Sequence, residues 1–174
     1  KDALIIDERY NGGGHSPYEM VEIMKRRVYS YWARRNLKLY PLPMPVNEGP
    51  KAMLINGLSS SGGDAFPAYF REAGLGPLIG QTTWGGLIGY GYSPRFVDGG
   101  SFAVPGFAYV NKEGDWDVEA VGVSPDPGFE VFDDPALIQA GREPMIERAV
   151  EYLLKELEKK PPKKIEKPAG PDRS

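Results

Sequence analysis

A serine set in a glycine-rich corner is the residue of this chain whose surroundings best suit chemistry. The stretch Asn56-Gly57-Leu58-Ser59-Ser60-Ser61-Gly62-Gly63-Asp64-Ala65-Phe66 follows a short apolar run, residues 52–55, and leads into helix-compatible sequence through Phe66, Tyr69 and Phe70. That order predicts buried strand, tight turn, helix. A hydroxyl in such a turn lies beside a helix N-terminus, whose N–H groups lack intrahelical partners and whose dipole favours negative charge. An alkoxide or an oxyanion would be stabilised there, which makes Ser61 a candidate nucleophile. The same residues allow a plainer role, with Ser61 as an N-cap and Asp64 as the acidic half of a capping box.

Acyl transfer needs a nucleophile, a base for its proton, and donors for the oxyanion. The backbone N–H of Gly62 follows the candidate nucleophile directly, as in other strand–turn–helix enzymes. A second N–H could come from the glycines of Asp7-Glu8-Arg9-Tyr10-Asn11-Gly12-Gly13-Gly14, which follow another apolar run. The base is harder to find. His15 is the only histidine and follows that glycine loop, but a solvent-facing or turn role is the simpler reading. No lysine stands out as a buried base. Glu119, within an apolar stretch read as strand, could orient a base if it faces the cleft. Asp7, Glu8 and Asp64 are alternative acids, for which turn or surface roles are the simpler reading. Trp84-Gly85-Gly86 is either a wall of the cleft or a packed loop.

The elements that would position these groups follow from the apolar pattern. Residues 3–6 read as a strand covered on both faces. Ser16 and Pro17 then offer a helix cap and first helical position, with Tyr18, Val21, Ile23 and Met24 at roughly helical spacing. The aromatic and basic stretch 28–40, with Tyr31, Trp32, Arg34 and Arg35, reads as a cleft wall or interface strand. Residues 65–73 predict an amphipathic helix closed by Gly74, with Pro67 as a local conflict that delays the helix to about Asp64 or kinks it. Residues 78–80 predict a third short strand, followed by a second glycine-rich loop, residues 81–89. Hairpins are expected between Tyr92 and Val123, at the turn pairs Asp98-Gly99 and Glu113-Gly114. Asp134-Pro135 opens a short helix closed by Gly141. Pro144 opens the last helix, with Ile146, Ala149, Val150, Leu153, Leu154 and Leu157 as its apolar stripe. Strands alternating with helices are an α/β pattern, and glycine turns after three strands could meet at the carboxyl edge of one sheet.

Composition bounds the rest. The 174 residues suffice for one domain, read as residues 1–158, with a Lys/Pro-rich disordered tail over 159–174. A net charge of -3 gives no reason to expect nucleic acid or an anionic membrane as partner. The chain has no cysteine and one histidine, which argues against disulfides and a self-contained zinc site. Hydroxyl-based acyl transfer calls for no cofactor. No apolar stretch approaches membrane-spanning length. The chain opens on Lys1-Asp2, without methionine, and reads as a segment of a longer protein.

Four separated motifs together resemble one family. They are residues 7–14, residues 56–64, Leu78-Ile79-Gly80 with Thr83-Trp84-Gly85-Gly86, and Val118-Glu119 with Gly122-Val123-Ser124-Pro125-Asp126. In this order they resemble the tricorn-like branch of the tail-specific, or carboxyl-terminal processing, serine peptidases. The resemblance implies the α/β, ββα-superhelix fold shared with ClpP and crotonase, built on a mixed sheet with flanking helices. It implies that Ser61 is the nucleophile of a Gly-Ser-Asp-Gly-Asp motif, read here as Ser60-Ser61-Gly62-Gly63-Asp64. Gly14 and Gly62 fall on its oxyanion donors, with Gly62 in place of an aspartate. Glu119 falls on the acid of a Ser-His-Ser-Glu tetrad. The tetrad histidine and its serine belong upstream, before a PDZ-like domain, so this segment alone is expected to be inactive. An acidic specificity residue aligns near Tyr31 and Trp32, which implies a preference for apolar or aromatic residues on the acyl side, with Trp84 as a further pocket residue. The resemblance also implies peptide or unfolded polypeptide substrates and a cytoplasmic homo-oligomer, although related bacterial enzymes are exported. An inactive peptide-binding relative, and a crotonase-type acyl-CoA enzyme, are the competing readings of the same pattern.

Overall fold

The apolar run at 52–55 does not alternate with polar residues, and a strand of that kind must be covered on both faces. The computed structural model, which describes residues 1–15 and 17–170, shows how. Strand β1 (Leu4–Asp7) leads to helix α1 (Pro17–Met24) and an antiparallel ribbon of β2 (Ser30–Trp32) and β3 (Tyr40–Leu42). Strand β4 (Lys51–Ile55) follows, then helix α2 (Gly62–Glu72) and strand β5 (Leu78–Gly80). The order in the central sheet is β1-β4-β5, all parallel. A second antiparallel ribbon, β6 (Gly89–Tyr90) with β7 (Pro105–Phe107), precedes helices α3 (Pro135–Gln139) and α4 (Pro144–Lys159). The architecture is α/β, with parallel pairing in the central sheet and antiparallel pairing in the ribbons.

Alternate residues of β4 feed two cores. Met53 and Ile55 pack with Val21 of α1, Phe66 and Phe70 of α2, and Leu78. Ala52 and Leu54 face the other way, onto Ile79 and onto Met145, Ala149 and Leu153 of α4. The period-2 geometry of a strand thus explains why its sequence lacks polar interruptions. Burial of these side chains is the main stabilising term, at roughly 1.5–3 kcal/mol for each large one.

Several expectations need correction. Strand β1 is half-buried rather than covered on both faces, because it lies at the edge of the described sheet. Helix α2 starts at Gly62, not Asp64, and contains Pro67, so the Gly63 carbonyl loses the N–H that residue 67 would supply. The buried stripe of α4 runs through Met145, Ala149 and Leu153, whereas Val150 and Leu154 are exposed. The i, i+4, i+8 row begins one residue before the expected stripe. Between Tyr92 and Val123 the hairpins shrink to β6–β7 and the isolated bridges Arg95–Ser101 and Val110–Trp116. Residues 117–123 form a turn, not a strand, with Val118 and Ala120 at φ 70° and 64°.

Other features agree with the sequence. Pro17 opens α1, although Ser16, the expected cap, lies outside the described residues. Asp134 caps α3 by accepting from Ala136 N–H at 2.8 Å, and Gly141 follows at φ 77°. Residues 161–170 carry no regular secondary structure. Among the described residues, no helix is long and apolar enough to cross a membrane.

Candidate active site

Parallel pairing puts the carboxyl ends of β1, β4 and β5 at one edge, so the loops that follow them share that edge. Backbone bonds stitch these loops together. Ser60 N–H donates to the Asn11 carbonyl at 2.9 Å, and Trp84 N–H donates to the Ser59 carbonyl at 2.9 Å. The Ser59 hydroxyl donates to the Glu8 carbonyl at 2.9 Å.

Ser61 sits where these loops meet. Its φ and ψ are 56° and -115°, a region an L-residue adopts only under constraint. The constraint is visible in its main chain. Ser61 N–H donates to the Gly86 carbonyl at 3.0 Å and to Asp64 Oδ2 at 2.8 Å, while its carbonyl accepts from the N–H groups of Asp64 and Ala65. Asp64 N–H donates to that carbonyl at 2.9 Å. The expected capping box is present, with the Asp64 carboxylate accepting from Ser61 N–H and the Ser61 side chain facing Asp64 N–H.

The two glycine corners nest against each other. A Cβ on Gly13 would lie 2.8 Å from Ser61 Cβ and 3.1 Å from its Oγ. A Cβ on Gly62 would lie 2.5 Å from the Gly14 carbonyl oxygen and 2.6 Å from the Gly14 nitrogen. This approach is open to glycine alone. Neither the Gly14 nor the Gly62 N–H finds an acceptor among the described residues. Two such donors beside a serine hydroxyl can polarise a carbonyl and hold the oxyanion that forms on attack.

Asp64 does more than the sequence suggested. It is fully buried, not a surface acid. Its Oδ1 accepts from Gly85 N–H at 2.8 Å, and its Oδ2 accepts from Gly86 N–H at 3.0 Å as well as from Ser61 N–H. One carboxylate therefore locks the Ser61 turn to the 81–89 loop. Only the Ser61 contact was visible from local spacing. The other two partners lie 21 and 22 residues away.

Glu119 acts on the same loop from the other side. Its Oε2 accepts from the N–H groups of Leu87 and Ile88, each at 2.7 Å. Leu87 adjoins Gly86, whose carbonyl receives the Ser61 N–H, so Glu119 and Ser61 are linked through two adjacent residues. Trp84 lies across Gly86 and is exposed. Tyr31 and Trp32 are on the exposed β2–β3 ribbon. None of these three aromatics lines the pocket of about 290 Å³ beside Gly14 and Gly62, whose walls are Asn11, Gly13, His15, Pro17, Met20 and Phe66. His15, read from the sequence as a solvent-facing or turn residue, is exposed and also lines this pocket.

Glu8 is a buried carboxyl behind the glycine loop. It accepts from Asn11 Nδ2 at 2.5 Å, and Asn11 Oδ1 in turn accepts from Gly13 N–H at 2.9 Å. Burial pushes the Glu8 carboxyl up from 4.5 to about 7, against the lowering effect of the Asn11 bond. The folded state therefore holds this proton more tightly than the unfolded chain does. The resulting stabilisation is complete below about pH 4.5 and is lost as pH rises through about 7. The urea midpoint of the segment is expected to fall between about pH 5 and about pH 8, and Glu8→Gln to flatten that fall. A wild-type slope that persists in the variant would contradict this.

Among the described residues, no group of three or more His, Cys, Asp or Glu side chains is arranged to hold a metal ion.

Known proteins resemble the chain along most of its length. Residues 1–128 match the model of peptidase family S41. The chain is 35% identical over 163 residues to Tricorn protease homolog 1 of Streptomyces coelicolor, covering 94% of this chain and 15% of that protein. It is 36% identical over 159 residues to the Tricorn protease of Thermoplasma volcanium, covering 91% of this chain and 15% of that protein. A crystal structure of the tricorn protease superposes with a TM-score of 0.84 at 34% identity, over 90% of this chain and 15% of that one. The chain thus spans about 15% of the length of these relatives. With its motifs in register and its fold shared with the tricorn protease, the chain belongs to peptidase family S41.

Proposed function

We propose that residues 1–158 form the catalytic domain of a serine peptidase that cleaves peptides or unfolded chains through an acyl-enzyme. In this reading Ser61 Oγ attacks the scissile carbonyl, and the Gly14 and Gly62 N–H groups receive the oxyanion. Glu119 holds the 81–89 loop and orients a histidine supplied by another part of the full-length protein. The histidine takes the Ser61 proton and later returns it to the leaving amine. Water then hydrolyses the ester by the reverse sequence. No step calls for a metal or cofactor. The resemblance to tricorn proteases favours a cytoplasmic homo-oligomer as the working unit.

One observation carries the reading. A serine in a strained backbone state lies where two glycine corners nest, and the N–H groups of Gly14 and Gly62 find no acceptor among the described residues. A structural N-cap needs neither the strain nor the second glycine loop.

The test uses the full-length protein and a fluorophosphonate probe. Wild type is expected to label at Ser61 and to hydrolyse peptides. Ser61→Ala is expected to lose labelling and roughly 10³-fold or more of kcat/KM, the scale of removing a nucleophile. The isolated segment is expected to show no turnover. Peptide binding without labelling would instead identify a non-catalytic relative, and binding of coenzyme A an acyl-CoA enzyme.

A further inference from the structure

We infer that Asn11 is a positioning residue for the proposed oxyanion site: its side-chain amide, braced by the buried Glu8 carboxyl, holds the glycine loop in the form that offers the Gly14 N–H to the substrate. This deepens the reading of Ser61 as nucleophile and rests on it.

The loop has little else to hold it. Glycines at 12, 13 and 14 bring no side chains and the widest backbone freedom. Among the described residues, one hydrogen bond alone involves these three glycines, from Gly13 N–H to Asn11 Oδ1 at 2.9 Å. Gly13 is thus pinned at its N–H and packed against Ser61, where a Cβ would lie 2.8 Å from Ser61 Cβ. The Gly14 N–H belongs to the next peptide and inherits both constraints.

Asn11 is itself fixed on its other sides. Its N–H donates to the Glu8 carbonyl at 3.3 Å, and its carbonyl accepts from Ser60 N–H at 2.9 Å. Its Nδ2 donates to Glu8 Oε1 at 2.5 Å. Glu8 is 5% exposed, so water competes little for that bond. An ionised carboxyl can only accept, which turns the amide nitrogen toward Glu8 and leaves Oδ1 for Gly13. The main chain of Asn11 therefore belongs to the corner that carries Ser61, and its side chain to the loop that carries Gly14. One residue sets the spacing of nucleophile and donor, a spacing that must hold to about half an ångström.

The experiment compares full-length wild type, Asn11→Ala, Asn11→Asp, and the double variant Asn11→Asp with Glu8→Gln. End-point fluorophosphonate titration counts the competent Ser61 in each, and kcat and KM for one peptide are expressed per titrated site. A peptide aldehyde, whose tetrahedral adduct places an oxygen on the same donors, supplies a second readout. Asn11→Ala keeps the main-chain bonds to Glu8 and Ser60. It is expected to lose about 10–100-fold in kcat with KM within about threefold, the scale of a donor displaced by about an ångström. Aldehyde affinity is expected to fall by the same factor. Asn11→Asp retains an acceptor for Gly13 but sets two carboxyls against each other, and is expected to be similarly slow. The double variant exchanges amide and carboxylate. The new amide at position 8 donates to the new carboxylate at position 11, which still accepts from Gly13 N–H, and kcat is expected to return to within about fivefold of wild type.

An unchanged kcat per site in Asn11→Ala would overturn the inference, since a purely structural Asn11 would lower the count of titrated sites and nothing else. A double variant no faster than Asn11→Asp would overturn it as well, and that comparison decides alone if Asn11→Ala does not fold. Failure of wild type to label at all would instead remove the Ser61 reading, and the role of Asn11 with it.

Discussion

Replacing Asp64 with alanine is expected to destabilise the segment by roughly 3–6 kcal/mol, close to the whole stability of a typical domain. The carboxylate is fully buried and accepts three main-chain N–H groups. Ser61 N–H would keep its bond to the Gly86 carbonyl, but the N–H groups of Gly85 and Gly86 would lose the side-chain acceptor recorded for each. Each buried donor left unpaired costs about 1–3 kcal/mol, and a charged acceptor raises the value of each bond that is lost. Asp64→Asn keeps one acceptor oxygen and is expected to lose less, because it still reaches one of the two loops. Urea unfolding of the segment, followed by far-ultraviolet circular dichroism, measures the difference. Alanine at Glu147, which pairs with Arg142 in solvent, supplies the contrast, with an expected loss under about 1 kcal/mol. A loss of that small size at Asp64 would show that the carboxylate is not the clamp described above.

The second large effect is kinetic. Gly62→Ala in the full-length protein is expected to lower kcat/KM by about 10²–10³-fold, the scale of losing one oxyanion donor. The added methyl would meet the Gly14 carbonyl oxygen at 2.5 Å and its nitrogen at 2.6 Å, closer than real Cβ contacts come. The 12–14 loop must retreat, and a displacement of about an ångström at a donor is enough to cost two orders of magnitude. Gly12→Ala is the control, since a Cβ there meets nothing within 4 Å, and near wild-type kinetics are expected. The tricorn-like motif carries an aspartate at this position. Gly62→Asp places the same Cβ against Gly14 and is expected to be at least as damaging as alanine. Equal rates for Gly62→Ala and wild type would remove the Gly14 N–H from the proposed mechanism.

The fold was most legible where burial left no choice. The unbroken apolar run of β4, the short run of β5 and the glycines that end them read directly as covered strands feeding turns. Three of the four motifs begin at or follow the strands that the sheet aligns at one edge, and the fourth is bonded to the loop after β5. What escaped was long-range or conformational. Asp64 read as a local capping residue because a sequence shows the partner three residues away and hides those across the loop. The turn at 117–123 read as strand because its composition is largely apolar, while its positive φ values at Val118 and Ala120 go with bonds inside the turn to the Val118 carbonyl and with the Ala120 N–H donating to the Gly85 carbonyl. The apolar and aromatic residues between Tyr92 and Val123 suggested hairpins, yet Phe102, Phe107 and Trp116 are exposed. Alternation reveals the period of a strand without revealing which face, if either, is covered. Glu8 read as a turn or surface acid, since an acid at a strand end looks solvated until the loop folds over it.

The corner that presents Ser61 is held almost entirely by peptide groups, with Asp64 and Glu119 as the side chains that bind the facing loop. Scaffolding of that kind is blind to most substitutions, because any residue brings the same amide and the same carbonyl. Lineages descended from a common ancestor can therefore diverge over most of their positions while a handful of glycines and acids stay put. Counting shared letters will understate kinship among such proteins, and the spacing of those few letters will be the better measure of descent.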